Sequence, residues 1–413
     1  MLGLKDKKRI CEVSDLLYNT SRRIKILRFL NWPESIKYEF FQSGFEKLPV
    51  VEYPKFDDKE IRSELKTARL KLGDLPFDDW LREKSYDIES GLDLITSCGN
   101  SEFFEHSSKI YGTPTDRLKD GKTTPLEIAT NFAHIIEKQS QSKQESNNFM
   151  SSGYVRNQIE KKIKEFFNDR CPKVVIAKDI TARATATSKT IKIRENANFT
   201  QNDIEQLINH EAYTHVATTL NGRMQNDVKI LGANYATLTK TQEGLAVFSE
   251  FISGCMDFRR MCRIMDRVNG IQMAIGGANF IEVFRYFLTK TDIKTEAYES
   301  TRRIFRGGVI TGCYPFTKDI VYLDGLVRVH NFLRAIVVNG KYDVLNLLFC
   351  GKIDLKDIPV ISEMKKEGLI KNPKLIPKWL KNKNNLISYF SLSIFSGEIN
   401  YQKSDNYYQK LLS

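Results

Sequence analysis

Two histidines and a glutamate lie close together near the middle of the chain. Residues 208–215 have the sequence INHEAYTH, so Glu211 follows His210 directly and His215 comes five residues after His210. Zinc peptidases use this grouping: two imidazoles hold the metal, and the glutamate acts on a metal-bound water. The chemistry that these residue types indicate is therefore hydrolysis at a metal centre.

The spacing of the two histidines differs from the four-residue spacing of the common H-E-x-x-H pattern. Residues five apart on a regular α-helix are rotated by about 140° (5 × about 100°), so His210 and His215 would not share one metal ion. One extra residue in the turn, a π-bulge, would align the two rings, and such bulges often occur at functional sites. We therefore predict a bulge between them. The alternative is a pair of ordinary histidines on different faces of a regular helix.

A third metal ligand is expected from residues 239–250, which have the sequence TKTQEGLAVFSE and the pattern of a second helix. Glu243 lies 28 residues after His215, which leaves room for a loop and a return, and Gly244 beside it permits close approach of a neighbouring backbone. Two histidines and one glutamate leave the open fourth position that a catalytic zinc requires. Glu250 is the alternative ligand, or a carboxylate that orients a histidine. If no metal binds, both glutamates are ordinary solvated residues at the start of a helix.

Several segments, taken in this order, resemble the QEGLA-motif family. The matching segments are H-E-x-x-x-H at 210–215, TLNGR at 219–223, QEGLA at 242–246, RIFRG at 303–307 and TKDIVYLDG at 317–325. Bacterial members are labelled flavohaemoglobin expression-modulating proteins, and the eukaryotic relatives are the microtubule-associated tyrosine carboxypeptidases. The resemblance runs from about residue 10 to near the C-terminus. Each segment alone is unspecific, but their combination is specific.

This resemblance implies a metallopeptidase with zinc as its cofactor. The ligands would be His210, His215 and Glu243, and Glu211 would be the general base. The eukaryotic relatives remove a C-terminal tyrosine from an acidic protein tail. The resemblance therefore implies a zinc-dependent carboxypeptidase that acts on acidic or tyrosine-ended tails.

A second group of residues, candidates for binding the substrate, begins about sixty residues after Glu243. A carboxypeptidase must hold the terminal carboxylate of its substrate, and the planar guanidinium of arginine does this well. Arg306 is the first candidate, with Arg303 and Lys318 after it. The phenol of Tyr322 could donate to the oxyanion that forms beside zinc, and His330 is a weaker alternative donor. The competing interpretation is that the basic residues only form a charged face.

Composition limits the remaining possibilities. The chain has 413 residues, of which 41% are hydrophobic and 28% charged, and a formal net charge of +12. This charge favours an acidic partner, and we expect a peptide tail, because no nucleic-acid-binding signature and no membrane-length apolar run accompany it. The alternative is a non-catalytic interaction module that binds an acidic partner through its basic surface. Seven cysteines without a C-x-x-C pair and an N-terminus without an apolar segment predict a cytoplasmic protein.

The expected fold is α+β and mostly helical, with a zincin-like metallopeptidase core and a small antiparallel sheet beside the metal helix. Residues 173–177 and 190–194 have strand character, and the second is an edge-strand candidate that could pair with an extended substrate. We predict three regions. They are a helical N-terminal region (1–137), a polar linker or loop (138–153), and a catalytic region with a C-terminal helical cap (154–413).

Overall fold

A computed structural model describes residues 2–139, 149–178, 180 and 182–397. Most of these residues are helical. The helices are α1 (Leu4–Ser21), α2 (Ile26–Phe29), α3 (Glu34–Gln42), α4 (Lys59–Leu70), α5 (Pro76–Thr96), α6 (Ser101–Tyr111), α7 (Pro125–Gln139), α8 (Ser152–Phe167), α9 (Gln201–Leu207), α10 (Ala217–Arg223), α11 (Thr239–Ile252), α12 (Phe258–Ile275), α13 (Phe280–Leu288), α14 (Lys294–Phe305), α15 (Val321–Val338), α16 (Ile358–Lys366), α17 (Lys378–Lys381) and α18 (Lys383–Gly397). A π-helix (Ile208–Val216) joins α9 to α10. Short 3₁₀ turns cover Asn168–Arg170, Lys229–Gly232, Ala236–Leu238, Lys318–Ile320, Tyr342–Phe349 and Leu355–Asp357.

The largest buried cluster joins the beginning of the chain to its end. Apolar residues of α1, α4 and α5 pack in one core with residues of α11, α15 and α16; examples are Ile10, Leu65, Leu81, Phe248, Leu333 and Met364. Since burying each such side chain contributes about 1.5–3 kcal/mol, this shared core fixes the N-terminal helices against the helices around the candidate site. Of the predicted linker, residues 138 and 139 belong to the end of α7, and residues 140–148 lie outside the described residues. The division into three regions stays a prediction.

The sheet is mixed, so the predicted antiparallel sheet is wrong. Its strands are β1 (Lys173–Ala177), β2 (Ala184–Ala186) and β3 (Thr190–Arg194), in the order β1-β3-β2. β1 pairs with β3 in parallel, and only β2 is antiparallel to β3. The two expected strands therefore cannot form a hairpin, because residues 178–189 must cross over to make them parallel. β2, a short strand of small residues that the sequence pattern did not indicate, makes the hairpin instead.

The edge beside the candidate site is formed by β2. β3 lies in the middle of the sheet, and β2 packs against the π-helix. The sequence suggested residues 190–194 as an edge strand beside the metal helix. In the structure Ala184–Ala186 forms that edge. Ile191 and Ile193 of β3 are instead buried in the core under the sheet.

Two glycines let α11 and α15 touch through their backbones. A Cβ atom on Gly244 would lie 2.2 Å from the carbonyl carbon of Gly325, far inside van der Waals contact. A side chain at this position would therefore push the helices apart. The expectation that Gly244 permits a close backbone approach is confirmed, and the contact places α11, which carries Glu243, beside α15, which carries Tyr322.

In the described part of the chain, no helix has both the length and the apolar character needed to cross a membrane.

Candidate metal centre

The helix that carries the histidines begins at a capping box and changes its geometry in the middle. The Thr200 side chain accepts a hydrogen bond from the backbone N–H of Asp203, and Asp203 Oδ2 accepts one from Thr200 N at 2.7 Å. The chain then enters the π-helix, where the Thr214 hydroxyl donates to the carbonyl of Asn209, five residues earlier, at 2.8 Å. The wider turn brings the rings of His210 and His215 to a centroid distance of 4.8 Å. The predicted bulge is thus confirmed, and it extends over the nine residues of the π-helix.

The three residues expected to hold a metal converge on one point. Nε2 of His210 lies 3.2 Å from Oε2 of Glu243, and Nε2 of His215 lies 3.6 Å from the same oxygen. One ligand atom from each residue lies within 4.8 Å of the other two. Two histidine nitrogens and one carboxylate oxygen are a donor set that catalytic zinc sites use.

Polar atoms without partners support a cation at this point. His215 Nδ1 and Glu243 Oε2 are buried and make no hydrogen bond within the described structure. Buried polar atoms rarely lack a partner, so unpaired donor atoms in a cluster of ligands indicate a binding site. Burial opposes the charge on Glu243, but Lys318 and the two histidines hold the pKa of this carboxyl well below its ordinary value. The ligand set and its surroundings therefore suit a divalent metal ion.

Glu250 orients His210 from behind. Its Oε1 lies 2.6 Å from His210 Nδ1, while Arg260 donates two hydrogen bonds of 3.0 Å to the same carboxylate. Burial would raise the pKa of Glu250, but Arg260 and His210 hold it at about 2. Burial also disfavours a charged imidazole, yet the adjacent carboxylates of Glu243 and Glu250 raise the pKa of His210 to about 10. Of the two roles considered for Glu250, the geometry matches the orienting carboxylate.

Tyr322 and Lys318 complete one side of the centre. The Tyr322 ring is stacked on His210 at a centroid distance of 6.5 Å, and Lys318 Nζ lies 3.5 Å from Glu243 Oε1. Arg303 donates to the Tyr322 hydroxyl oxygen at 3.2 Å and binds Asp319 through two hydrogen bonds of 2.5 and 2.7 Å. Because Arg303 supplies the proton in its contact with the phenol, the phenolic hydrogen remains available to another acceptor.

A pocket lined with arginines opens beside His210 and Glu211. The guanidinium-bearing residues of its wall are Arg183, Arg194, Arg260, Arg263, Arg267 and Arg303. Glu211 is buried in the same wall, with an exposed fraction of 8%. Ala182 and Ala184 extend the wall to the β2 edge. The site is therefore a cleft with His210 and Glu211 in its wall. Six arginines of its lining outnumber the carboxylates of Glu211, Glu296 and Glu299.

The proposed carboxylate-binding residues have different positions around this pocket. Arg303 lines it, whereas Arg306 is buried outside its lining, with its guanidinium 5.7 Å from the centre of the Phe316 ring. Lys318 is close to Glu243 and not in the pocket lining. Sequence reasoning missed Arg260, Arg263 and Arg267. Their spacing of three and four residues places them on one face of α12, a signal that the sequence does contain.

Lys352 approaches the centre from another side. Its Nζ donates to Asn234 Oδ1 at 3.2 Å. Burial lowers its pKa to about 8, although the negative charges of Glu243 and Glu211 act in the opposite direction. His330, the alternative oxyanion donor, lies instead among aromatic residues, with its Nε2 3.3 Å from the hydroxyl of Tyr389.

The chain was compared with known protein families and with curated proteins. A family model described as "Microtubule-associated tyrosine carboxypeptidase" matches residues 38–398, which include all of the residues of the metal centre. The chain belongs to the microtubule-associated tyrosine carboxypeptidase family. The suspected relation to tyrosine carboxypeptidases is thereby confirmed. No match was found among curated proteins.

Proposed function

We propose that the chain is a zinc-dependent carboxypeptidase with a zincin-like core, which shortens acidic or tyrosine-ended protein tails in the cytoplasm. The observation that carries this proposal is the convergence of His210, His215 and Glu243 beside a buried glutamate and a positively lined pocket. Membership of a carboxypeptidase family supports the same reaction class. The cytoplasmic location rests on the cysteine pattern of the sequence alone.

His210, His215 and Glu243 would hold the zinc ion. When bound there, zinc supplies a Lewis acid and lowers the pKa of a coordinated water toward ~7. Glu250 keeps the Nε2 atom of His210 directed toward the ligand point, since it occupies Nδ1 from behind.

Glu211 is the proposed general base. It follows His210 directly in the chain and lines the same pocket, so its carboxylate reaches the space where substrate and water meet. It takes a proton from the attacking water and later delivers it to the leaving amine. The reaction needs no covalent intermediate with the protein.

Tyr322 is the proposed donor to the negative oxygen of the tetrahedral intermediate. Its hydroxyl oxygen accepts from Arg303, which fixes the phenol and leaves its hydrogen for the substrate. A donor held in place before the reaction starts stabilises developing charge without reorganisation.

The positive lining supports an acidic substrate. Carboxylates of a peptide tail would meet Arg303 in the pocket wall and Lys318 beside the metal ligands, and both residues were expected to bind carboxylates. Arg306 lies behind this wall, so its proposed contribution is to add positive charge. β2 offers a sheet edge beside the pocket to which an extended peptide could add by backbone hydrogen bonds.

The test combines metal analysis with an activity assay. We expect about one zinc per wild-type chain and none in a His210→Ala/His215→Ala variant. Glu211→Gln should keep its zinc but lose about 10²–10⁴-fold in cleavage of an acidic, tyrosine-ended peptide. His106→Ala, which changes a histidine outside the ligand cluster, is the matched control.

Wild-type protein that takes up no metal even when zinc is supplied would refute this mechanism. It would favour the alternative, a non-catalytic module that binds an acidic partner.

A further inference from the structure

Three arginines lie on one face of α12, and one of them, Arg263, differs from the other two in its contacts. Arg260, Arg263 and Arg267 all line the pocket. Arg260 is bound to Glu250, and Nε of Arg267 lies 3.6 Å from a carboxylate oxygen of Asp319. Arg263, by contrast, makes no hydrogen bond or ion pair with any residue in the described ranges.

The carboxylates whose negative charges act on Arg263, Asp203 and Asp257, are already engaged by other groups. Asp203 binds Arg183 at 2.7 Å, and Asp257 accepts the backbone N–H of Arg260 at 2.7 Å at the start of α12. Burial, together with the positive charges of Arg183 and Arg260, lowers the pKa of Arg263 to about 10. A partly buried cation that faces like charges is costly for a folded protein, and an anionic ligand removes that cost.

The other arginines suggested for this role are less suited to it. Arg303 already donates from Nε and Nη2 to Asp319, and from Nη2 to Tyr322 as well, and Arg306 does not line the pocket. Arg263 therefore offers a planar pair of donors, of the kind that binds a carboxylate through two parallel hydrogen bonds, in the same pocket as His210 and Glu211.

We propose, on the basis of the function proposed above, that Arg263 is a specificity-determining residue that binds the α-carboxylate of the last residue of the substrate. The hydrogen-bonded ion pair between this guanidinium and the α-carboxylate holds the end of the substrate in the pocket. Cleavage is thereby limited to the terminal peptide bond. An amidated or extended chain end lacks the charge that satisfies Arg263. The arginine thus selects a free C-terminus, whereas the remaining positive lining acts on the rest of the tail.

Binding of two matched peptides tests this proposal. The peptides share one acidic sequence that ends in tyrosine, one with a free carboxylate and one with a C-terminal amide. Titration calorimetry is done in a Glu211→Gln background, so that neither peptide is cleaved. Because one charge-assisted pair is involved, we expect Arg263 to favour the free acid by about 10–100-fold.

Three variants complete the design. Arg263→Gln should bind the acid and the amide equally, and Arg263→Lys should recover part of the preference. Arg259→Gln, which changes an exposed arginine of the same helix, should keep the whole preference. Because Arg263 has no hydrogen-bond or ion-pair partner among the described residues, Arg263→Gln should also unfold at the same temperature as its parent or at a higher one. A purely structural arginine would give a lower unfolding temperature.

The proposal is overturned if Arg263→Gln keeps the acid preference, if Arg259→Gln loses it equally, or if the parent protein has no preference. These outcomes are separate from those of the proposed function. Zinc content and cleavage test the reaction, whereas the acid–amide comparison needs neither cleavage nor a particular metal. If wild-type protein proves inactive, the same titrations are valid on it directly.

Discussion

Glu250 Oε1 lies 2.6 Å from Nδ1 of His210, so a buried carboxylate fixes the imidazole on the side opposite the candidate metal ligand Glu243. Arg260 holds the same carboxylate through two further hydrogen bonds. Arg260 and Glu250 thus form a rigid support for His210. The His210 ring cannot rotate without breaking its hydrogen bond to Glu250. The support lies on α11 and α12, and the imidazole on the π-helix, so three separate elements determine one ligand position.

Glu250→Gln should therefore weaken zinc binding. An amide cannot hold the imidazole as strongly, so we expect the zinc affinity to fall by about 10–100-fold, measured by competition with a chromophoric chelator. The protein should also lose stability, because Arg260 is left buried without its counter-ion. Glu363→Gln, at an exposed glutamate on α16, is the control. An unchanged zinc affinity would show that the support has no influence on the ligand.

Tyr322→Phe should affect the rate and not the metal. Loss of the hydroxyl removes one donor to the negative oxygen, so kcat should fall by about 10²–10³-fold, with KM and zinc content close to wild type. Tyr154→Phe, at an exposed tyrosine, serves as the matched control. A variant with normal kcat would remove Tyr322 from the proposed mechanism.

Asp319→Asn should destabilise the fold by about 3–5 kcal/mol, because it leaves the buried Arg303 charge unpaired. Burial opposes the charge on Asp319, yet Arg303 and Arg267 lower its pKa far below the ordinary value. The ion pair is thus fully present above about pH 4, the ordinary aspartate pKa, and is lost as the pH falls toward the lowered pKa. Urea unfolding of the two proteins should show a constant difference from pH 5 to 7 that shrinks in stronger acid. A difference that stays constant at low pH would contradict this origin.

Lys352→Met should stabilise the protein at neutral pH. The pKa of Lys352 falls from an ordinary value of 10.5 to about 8 in the folded state, so a proton on this lysine is disfavoured by folding. The cost is complete below pH 8 and disappears between pH 8 and 10.5, where the folded protein releases the proton before the unfolded chain does. The stability gain of Lys352→Met should therefore be largest at pH 7 and decrease toward pH 10. Lys356→Met, at a nearby exposed lysine, should give no stability gain at pH 7, because the ion pair with Glu83 outweighs burial and raises the pKa of Lys356.

The cluster of candidate metal ligands could be predicted from the sequence because metal-binding chemistry restricts residue type and spacing. His210, Glu211 and His215 are local, and even the π-helix followed from the five-residue spacing, since only a wider turn aligns the two rings. The prediction of Glu243 needed one further assumption, namely that the chain returns to the two histidines. α11 makes that return. Such features depend on few long-range contacts.

Other features could not be predicted, because tertiary contacts decide them. Arg306 is the first carboxylate-binding candidate in the sequence, but it is buried outside the pocket lining. Arg303 lines the pocket, but two of its nitrogens bind Asp319, sixteen residues away. β2 has three small residues and takes its strand form from pairing with β3. The arginines of α12 have helical spacing, but whether that face meets solvent or a pocket depends on where the helix packs.

The contact between Gly244 and Gly325 has a further consequence for engineering this protein. Gly244 follows the ligand Glu243, and Gly325 lies on the helix of Tyr322, so backbone contact sets the distance between the metal ligand and the phenol. No exchange of side chains can adjust that distance in small steps, because even a methyl group at either glycine collides with main-chain atoms. Attempts to retarget the protein to other chain ends should therefore vary the pocket wall and leave this pair of helices untouched.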